Sequence, residues 1–411
     1  MAKYMKTEQG YIDIPDFALA PFKPAGKSYL TFSSSNSFTL KVNNSTKNWN
    51  GTIEYFASDK TWTVWDGTTV LSAVYDDGEY FLYLRGTKNT IITGNSTSSR
   101  WILHGSNIAC IGNIENLLDY TIVASGNHPT MADYCYYVMF QGCTSLTQAP
   151  ALPATKLADY CYTAMLQGCT SLTQAPALPA TTMAINCYSS MLYNCTSLAQ
   201  APALPATTMA NNCYSAMFLG CTALTQAPAL PATTMADSCY SNMFLGCTAL
   251  TQAPALPATK LANNCYSYMF QGCTALTQAP AFPATTLADY CYYSMFQGCT
   301  SLKLSSTKTD SYMQEYRISS SGEGVIETNA LQNMFTYTGG TFTGTPAINT
   351  IYYLSSDNMI VRETDIATLN GYVGSMIDTA DYIIPSSTEG STKKFRITVD
   401  DSGTLTATEI T

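Results

Sequence analysis

Charge is scarce in this chain. Only 11% of its 411 residues are Asp, Glu, Lys or Arg, against roughly 25% in ordinary soluble proteins. No cluster of basic residues occurs, which argues against nucleic-acid binding. Histidine is rarer still. The two, His104 and His128, stand alone, without a Ser, Cys or Asp arrangement that would form a catalytic triad. No Cys-x-x-Cys is present, so a zinc site is not expected. Walker and Gly-x-Gly-x-x-Gly motifs are missing, and so is a carboxylate pair in a recognisable glycosidase setting. No apolar run is long enough to cross a bilayer. The first 25 residues lack the apolar core of a secretion signal. These absences predict a protein without cofactor, metal, catalytic residues or membrane insertion, folded in a reducing cytoplasm.

What the chain has is repetition. Seven copies of a 26-residue unit carry Cys-Tyr-x-x-Met-[Phe/Leu]-x-[Gly/Asn]-Cys-Thr-[Ser/Ala]-Leu, with cysteines paired at 135/143, 161/169, 187/195, 213/221, 239/247, 265/273 and 291/299. A period of this size predicts a solenoid of stacked coils. Between residues 129 and 302 there are two lysines and four aspartates, so the net charge of −9 lies mostly in the flanks.

The pattern inside a unit predicts a short strand at Leu146–Gln148, a polyproline-like stretch through Pro150 and Pro153, then a two-turn helix. Asp159 is the expected N-cap and Gly168 the left-handed residue after the helix, with Asn194 replacing that glycine once. Eight helical residues span about 12 Å, beyond disulfide reach. The cysteines are therefore read as reduced, buried packing groups. Helical phase places Ala158, Cys161, Tyr162, Met165 and Cys169 on the buried arc. Asp159, Tyr160, Thr163, Ala164 and Gln167 fall on the solvent arc. Cys187, Cys213, Cys239, Cys265 and Cys291 repeat the core position of Cys161. The invariant tyrosines from Tyr136 to Tyr292 read as a stacked ladder with satisfied hydroxyls. The glutamines from Gln148 to Gln278 read as a second ladder, paired through side-chain amides.

The flanks differ. Residues 1–27 read as an arm. Residues 28–115 read as an all-β, sandwich-like domain, from alternating stretches separated by Asp66-Gly67 and Asp76-Asp77-Gly78. Asn113 to Tyr120 reads as a joining helix or cap, and the repeats fill 116–302. Residues 303–411 read as a β-rich assembly domain. It holds strands near 349–354 and 359–362, a helix at 365–376, and a terminal hairpin of 394–399 with 404–410.

The run Met-Phe-x-Gly-Cys-Thr-Ser-Leu, at 139–146 and 295–302, and Phe-Pro-Ala-Thr-Thr-Leu-Ala at 282–288 resemble the BspA-like class of leucine-rich repeats. The lead-in Ile111–Leu118 resembles the segment before such repeats in proteins of gut Bacteroidetes. The resemblance implies a solenoid of short parallel strands and short helices, used for surface adhesion. Residues 384–404 are similar to the ends of tailed-phage head fibre proteins, which implies a homotrimer docked to a capsid or other virion protein. The fold expected is thus multidomain: an N-terminal all-β domain, a central leucine-rich-repeat solenoid and a C-terminal β-rich domain.

Tyr134, Tyr137, Tyr160, Tyr193, Tyr268, Tyr290 and Tyr293 lie among Ser, Asn and Asp on the variable arc, a composition like that of an antibody paratope. They are the candidate ligand-binding residues, with cell-surface or mucin glycans as the expected ligand. Trp62 and Trp65, three apart on a strand, are further candidates that point to opposite faces. The leading expectation is a non-enzymatic head fibre or decoration protein on a virion surface. A bacterial adhesin and a polysaccharide-active enzyme are the alternatives.

Overall fold

A computed structural model describes residues 4–7, 10–13, 21–26, 29–361, 382–385, 394–399 and 405–410. It divides into two compact units, Met1–Ile360 and Val361–Thr411. The helix expected at 365–376 and the turn at 400–403 lie outside the described residues.

In the first unit, the long strand Glu79–Thr87 is the hub of a seven-stranded sheet. It pairs antiparallel with Leu30–Ser34, Thr52–Phe56 and Val74–Asp76. A three-stranded sheet of Trp101–His104, Thr39–Val42 and Leu71–Ser72 lies beside it in sequence and shares its core. Alternation puts Leu40 and Val42 inside while Thr39 and Lys41 are half-buried. Trp49, Trp65 and Trp101 meet in that core, with Trp65 edge-on to Trp101 at 5.3 Å. Leu30–Ser34 also pairs with Ile108–Ile111, which pairs parallel with Leu146–Gln148 of the first repeat. The sheet and the repeats therefore share strand hydrogen bonds. Their core is continuous too: Phe140 packs against Phe32 and Trp101.

The expected fold class is corrected by the repeats themselves. The single α-helix among the described residues is Asn116–Ala124, before the first cysteine pair, and the β-structure is dispersed over six separate sheets. The cysteine units carry no helix. They hold two short strands, Leu146–Gln148 and Gln278–Pro280, and otherwise turns and single parallel bridges such as Gln174 to Gln200. The solenoid of short strands and short helices is thus not the architecture found.

The reason is a left-handed residue at every fourth position. Tyr160, Ala164 and Gly168 have φ of 59°, 51° and 73°, and the other units repeat this. An α-helix cannot continue through such residues. Hydrogen bonds alternate accordingly. The N–H groups of Cys161, Thr163, Met165 and Gln167 each bond three residues back. Those of Tyr160, Tyr162, Ala164, Leu166 and Gly168 bond carbonyls of the following unit at Ile185, Cys187, Ser189, Met191 and Tyr193. Asp159 does not cap its own segment: its Oδ1 accepts from the N–H of Ile185, 2.9 Å away in the next unit. Period four turns 161/162, 165/166 and 169 inward, all fully buried, and also buries Ala164, which helical phase had placed in solvent.

An eighth run of this kind follows at 327–338, unmarked by cysteine. Tyr292, Ser294, Phe296 and Gly298 donate to Ala330, Gln332, Met334 and Thr336, and Phe335 stacks on Phe296 at 5.5 Å. On either side of it in sequence, Lys303–Ser305, Tyr312–Tyr316, Gly339–Gly340 and Tyr352–Ser355 make a four-stranded sheet. The second unit holds a three-stranded antiparallel sheet of Tyr382–Pro385, Lys394–Val399 and Leu405–Ile410.

The glycine column tests this backbone. Gly246 has φ of 72° and a Cβ there would rest 4.0 Å from Gly220 Cα, so Gly246→Ala should cost about 1–2 kcal/mol of left-handed strain alone. A Cβ on Gly220 would collide with Asn194 Oδ1. Gly220→Ala should therefore shift the urea midpoint further than Gly246→Ala, and Asn194→Gly should abolish that difference. Equal midpoints for the two alanine variants would contradict the column.

Candidate functional site

The candidate tyrosines fall into two groups at opposite ends of the repeats. Tyr134 and Tyr160 stack in parallel, centroids 4.5 Å apart, with Tyr137 edge-on to Tyr134. Five units further on, Tyr290 packs on Tyr293, which lies edge-on to Tyr268 at 5.2 Å. Asn329 Nδ2 donates to the Tyr290 hydroxyl at 3.0 Å. Tyr193 sits between, half-buried, in neither group. Tyr290 is exposed and the other five grouped rings are half-buried. Burial, then the neighbouring Tyr160 and Asp133, raises the Tyr134 phenol, and burial followed by Tyr293 raises that of Tyr268. Both phenols thus remain donors near neutral pH.

Four of these tyrosines occupy left-handed backbone: Tyr134, Tyr160, Tyr268 and Tyr290, with φ between 56° and 60°. At the place of Tyr160 and Tyr290, sister units use Asn186, Asn212, Ser238 and Asn264. Asparagine adopts this conformation readily and tyrosine does not. The strain was invisible in a helical reading.

The tryptophans separate. Trp65 is 1% exposed, closed off in the core, with its indole N–H donated to Thr69 O. Trp62 is half-buried against Phe56 and Tyr29. The Arg85 guanidinium lies 4.1 Å from its ring and 4.3 Å from that of Tyr120, and Arg85 Nε bonds Glu54 at 2.8 Å. That guanidinium covers one face of the Trp62 ring.

Two cavities flank the repeats' N-terminal side. One, about 590 Å³, is lined by Asp76, Asp77, Glu79, Phe81, Tyr83 and Lys23 among others. The second, about 410 Å³, contains a pair that sequence reading missed: His128 Nδ1 lies 2.8 Å from Glu115 Oε2. Glu115 is almost fully buried and His128 half exposed. The two are 13 apart in sequence and no motif joins them, so only the fold reveals the contact. No Ser, Thr or Cys nucleophile is bonded to the imidazole among the described residues, and no cluster suited to a metal ion occurs among them.

The core residues, Cys161, Met165, Cys169, Cys187, Cys213, Cys239, Cys265 and Cys291, are all fully buried, and all fifteen cysteines are free. From the second unit to the seventh, the second cysteine donates its thiol to a carbonyl in the preceding unit, as Cys221 to Leu192 O at 3.1 Å and Cys273 to Phe244 O at 3.1 Å, while Cys143 of the first unit donates to Trp101 O. The tyrosine column from Tyr136 to Tyr292 stacks at 5.5–5.9 Å with rings within 7° of parallel. Its hydroxyls are not all satisfied. Tyr136 donates to Ile114 O, but those of Tyr162, Tyr188 and Tyr214 have no hydrogen-bond partner. The expected glutamine column joins units through backbone bridges, while amide pairs form at Gln141–Gln167 and Gln271–Gln297.

No family model matches the chain, and no curated protein and no solved structure is found to resemble it. No helix among the described residues is long and apolar enough to cross a membrane.

Buried thiols and phenols set two expectations. Desolvation pushes Cys143 up to about 11 and Cys195, Cys213 and Cys291 up to about 12, from 9.0. Above pH ~9 the unfolded chain loses thiol protons that the folded one keeps, so stability should fall from there toward pH 11–12 and be insensitive to these groups below. Urea midpoints between pH 7 and 11 would show it; a flat profile would contradict burial. Tyr188→Phe should hold or raise the midpoint, by up to about 1 kcal/mol, because it removes an unpaired hydroxyl. Tyr136→Phe should lower it.

Proposed function

We propose that this chain is a non-enzymatic binding protein whose repeat face engages neutral glycans through its two tyrosine groups. The observation that carries this reading is the strained backbone under Tyr134, Tyr160, Tyr268 and Tyr290. Folding does not call for an aromatic there, since sister units form the same turns with Asn or Ser at the place of Tyr134, Tyr160 and Tyr290, and with Val138, Ala164, Ser190, Ala216, Asn242 or Ser294 at that of Tyr268. The left-handed turn itself is required by the repeats; placing tyrosine on it is the costly choice, and such costs cluster at binding sites. Half-buried tyrosines among Asn and Ser offer flat apolar faces, phenol donors and amide groups, the chemistry that recognises a sugar ring. The near absence of charge from 129 to 302 favours a neutral ligand.

The proposed setting is a virion, with the protein as head fibre or capsid decoration, self-associated as a homotrimer and attached to a capsid or other virion protein. It rests on the similarity of residues 384–404 to phage head-fibre ends. The ligand would then be a glycan of the host surface or of mucin.

Tyr268→Asn tests the binding reading. It should leave the melting temperature unchanged or higher, because asparagine relieves about 1 kcal/mol of strain. It should also weaken retention on a glycan array at least five-fold. A lower melting temperature with unchanged retention would assign Tyr268 to the fold instead. Proteomics of purified virions and the mass in solution test the setting; absence from virions, or a monomer, would count against it.

A further inference from the structure

Between the two tyrosine groups one column of the repeat face carries small side chains. At the place held by Tyr137 in the first unit and Tyr293 in the seventh, the units between carry Thr163, Ser189, Ser215, Ser241 and Ser267. The column is rigid. Ser189, Ser215 and Ser241 each donate their hydroxyl to the backbone carbonyl of the serine one unit further, at 3.3–3.4 Å. Its exposure varies: Ser241 and Ser267 are 8% and 2% exposed, while Thr163, Ser189 and Ser215 are half-buried, as are the neighbouring Asn212 and Asn264 at its edge. Aromatic rings close both ends of this column.

From Tyr160 in the second unit to Tyr268 in the sixth there are four steps, each 5.7–5.9 Å along the tyrosine stack. That repeat is close to the length of one hexose in an extended polysaccharide. A linear neutral glycan laid along the column would set about one sugar on each unit, with its hydroxyls facing the edge asparagines and the half-buried Thr163, Ser189 and Ser215. Its two ends would meet the two tyrosine groups. A compact sugar could touch one group only. With two contacts on one chain, the second forms at the high effective concentration set by the first.

We propose that the tyrosine groups are the two end subsites of one extended site for a linear neutral oligosaccharide of about five or six sugars, so that affinity depends on chain length. This rests on the glycan-binding reading above and adds to it that both groups grip the same molecule.

The test is calorimetry on the full chain with cello-, xylo-, manno- and chito-oligosaccharides of two to eight sugars. In at least one series, affinity should rise ten-fold or more between three and six sugars and then level off, at one ligand per chain. Tyr137→Ser and Tyr293→Ser reproduce the residue of the sister units, so the fold tolerates them. Each should bring the six-sugar ligand to the affinity of the three-sugar one. Two equal sites per chain without length dependence, each lost in one variant only, would overturn the extended site and leave glycan binding standing. No binding in any series, together with a blank glycan array, would overturn both.

Discussion

The repeats depend on one constraint: every fourth residue of each run is left-handed. It turns alternate N–H groups out of the local turn and toward the next unit, and leaves the intervening ones to close turns within the unit. Both sets of backbone groups are thereby satisfied without a helix or a continuous strand. All donors of this kind point toward the C-terminal neighbour and all acceptors toward the N-terminal one. The first run therefore needs donors supplied to its carbonyls. The N–H groups of Ile92 and Thr93 bond Cys135 O, and that of Trp101 bonds Met139 O. The N-terminal sheets thus terminate the ladder, and their continuous core with the first unit follows from that role.

Register of this kind stacks each side chain on its own copy. A column of identical residues must pack against itself, which flat rings do well and branched chains less well. The second cysteine adds a reason of its own. Its thiol is small enough for the interior and still donates to a carbonyl of the preceding unit, and serine would bring a hydroxyl with a higher cost of burial. The eighth run shows which parts the ladder can replace. Ala330, Leu331 and Thr338 stand where other units have Cys, Tyr and Cys, while Met334 and Phe335 are retained and buried. The inward methionine and its neighbouring ring are the persistent packing unit.

Much of the core was legible because period four and period 3.6 nearly coincide over two turns. Cys161, Met165 and Cys169 turn inward under either rule, so burial was assigned correctly from an incorrect helix. The two rules part at Ala164 and at Asp159, whose carboxylate serves the next unit and not its own segment. A left-handed position occupied by Ala or Tyr leaves no mark in the sequence, whereas Gly168 and Asn194 do. The eighth run was hidden by the loss of both cysteines and by the strands inserted after residue 302. The Glu115–His128 pair depends on a turn that returns the chain after the helix Asn116–Ala124, which no local pattern announces.

The variable positions can now be read as columns across the units. One of the three left-handed columns holds Asn or Ser except where Tyr134, Tyr160 and Tyr290 replace them. Another holds hydroxyls that rivet neighbouring units together, except at its two ends, Tyr137 and Tyr293. Random change on a solvated face would scatter tyrosines along both columns. Here both columns change at the same ends and to the same residue, and they do so against the conformational preference of one column. A surface with this arrangement has a length and two ends, and only a molecule extended along the units can touch both ends at once.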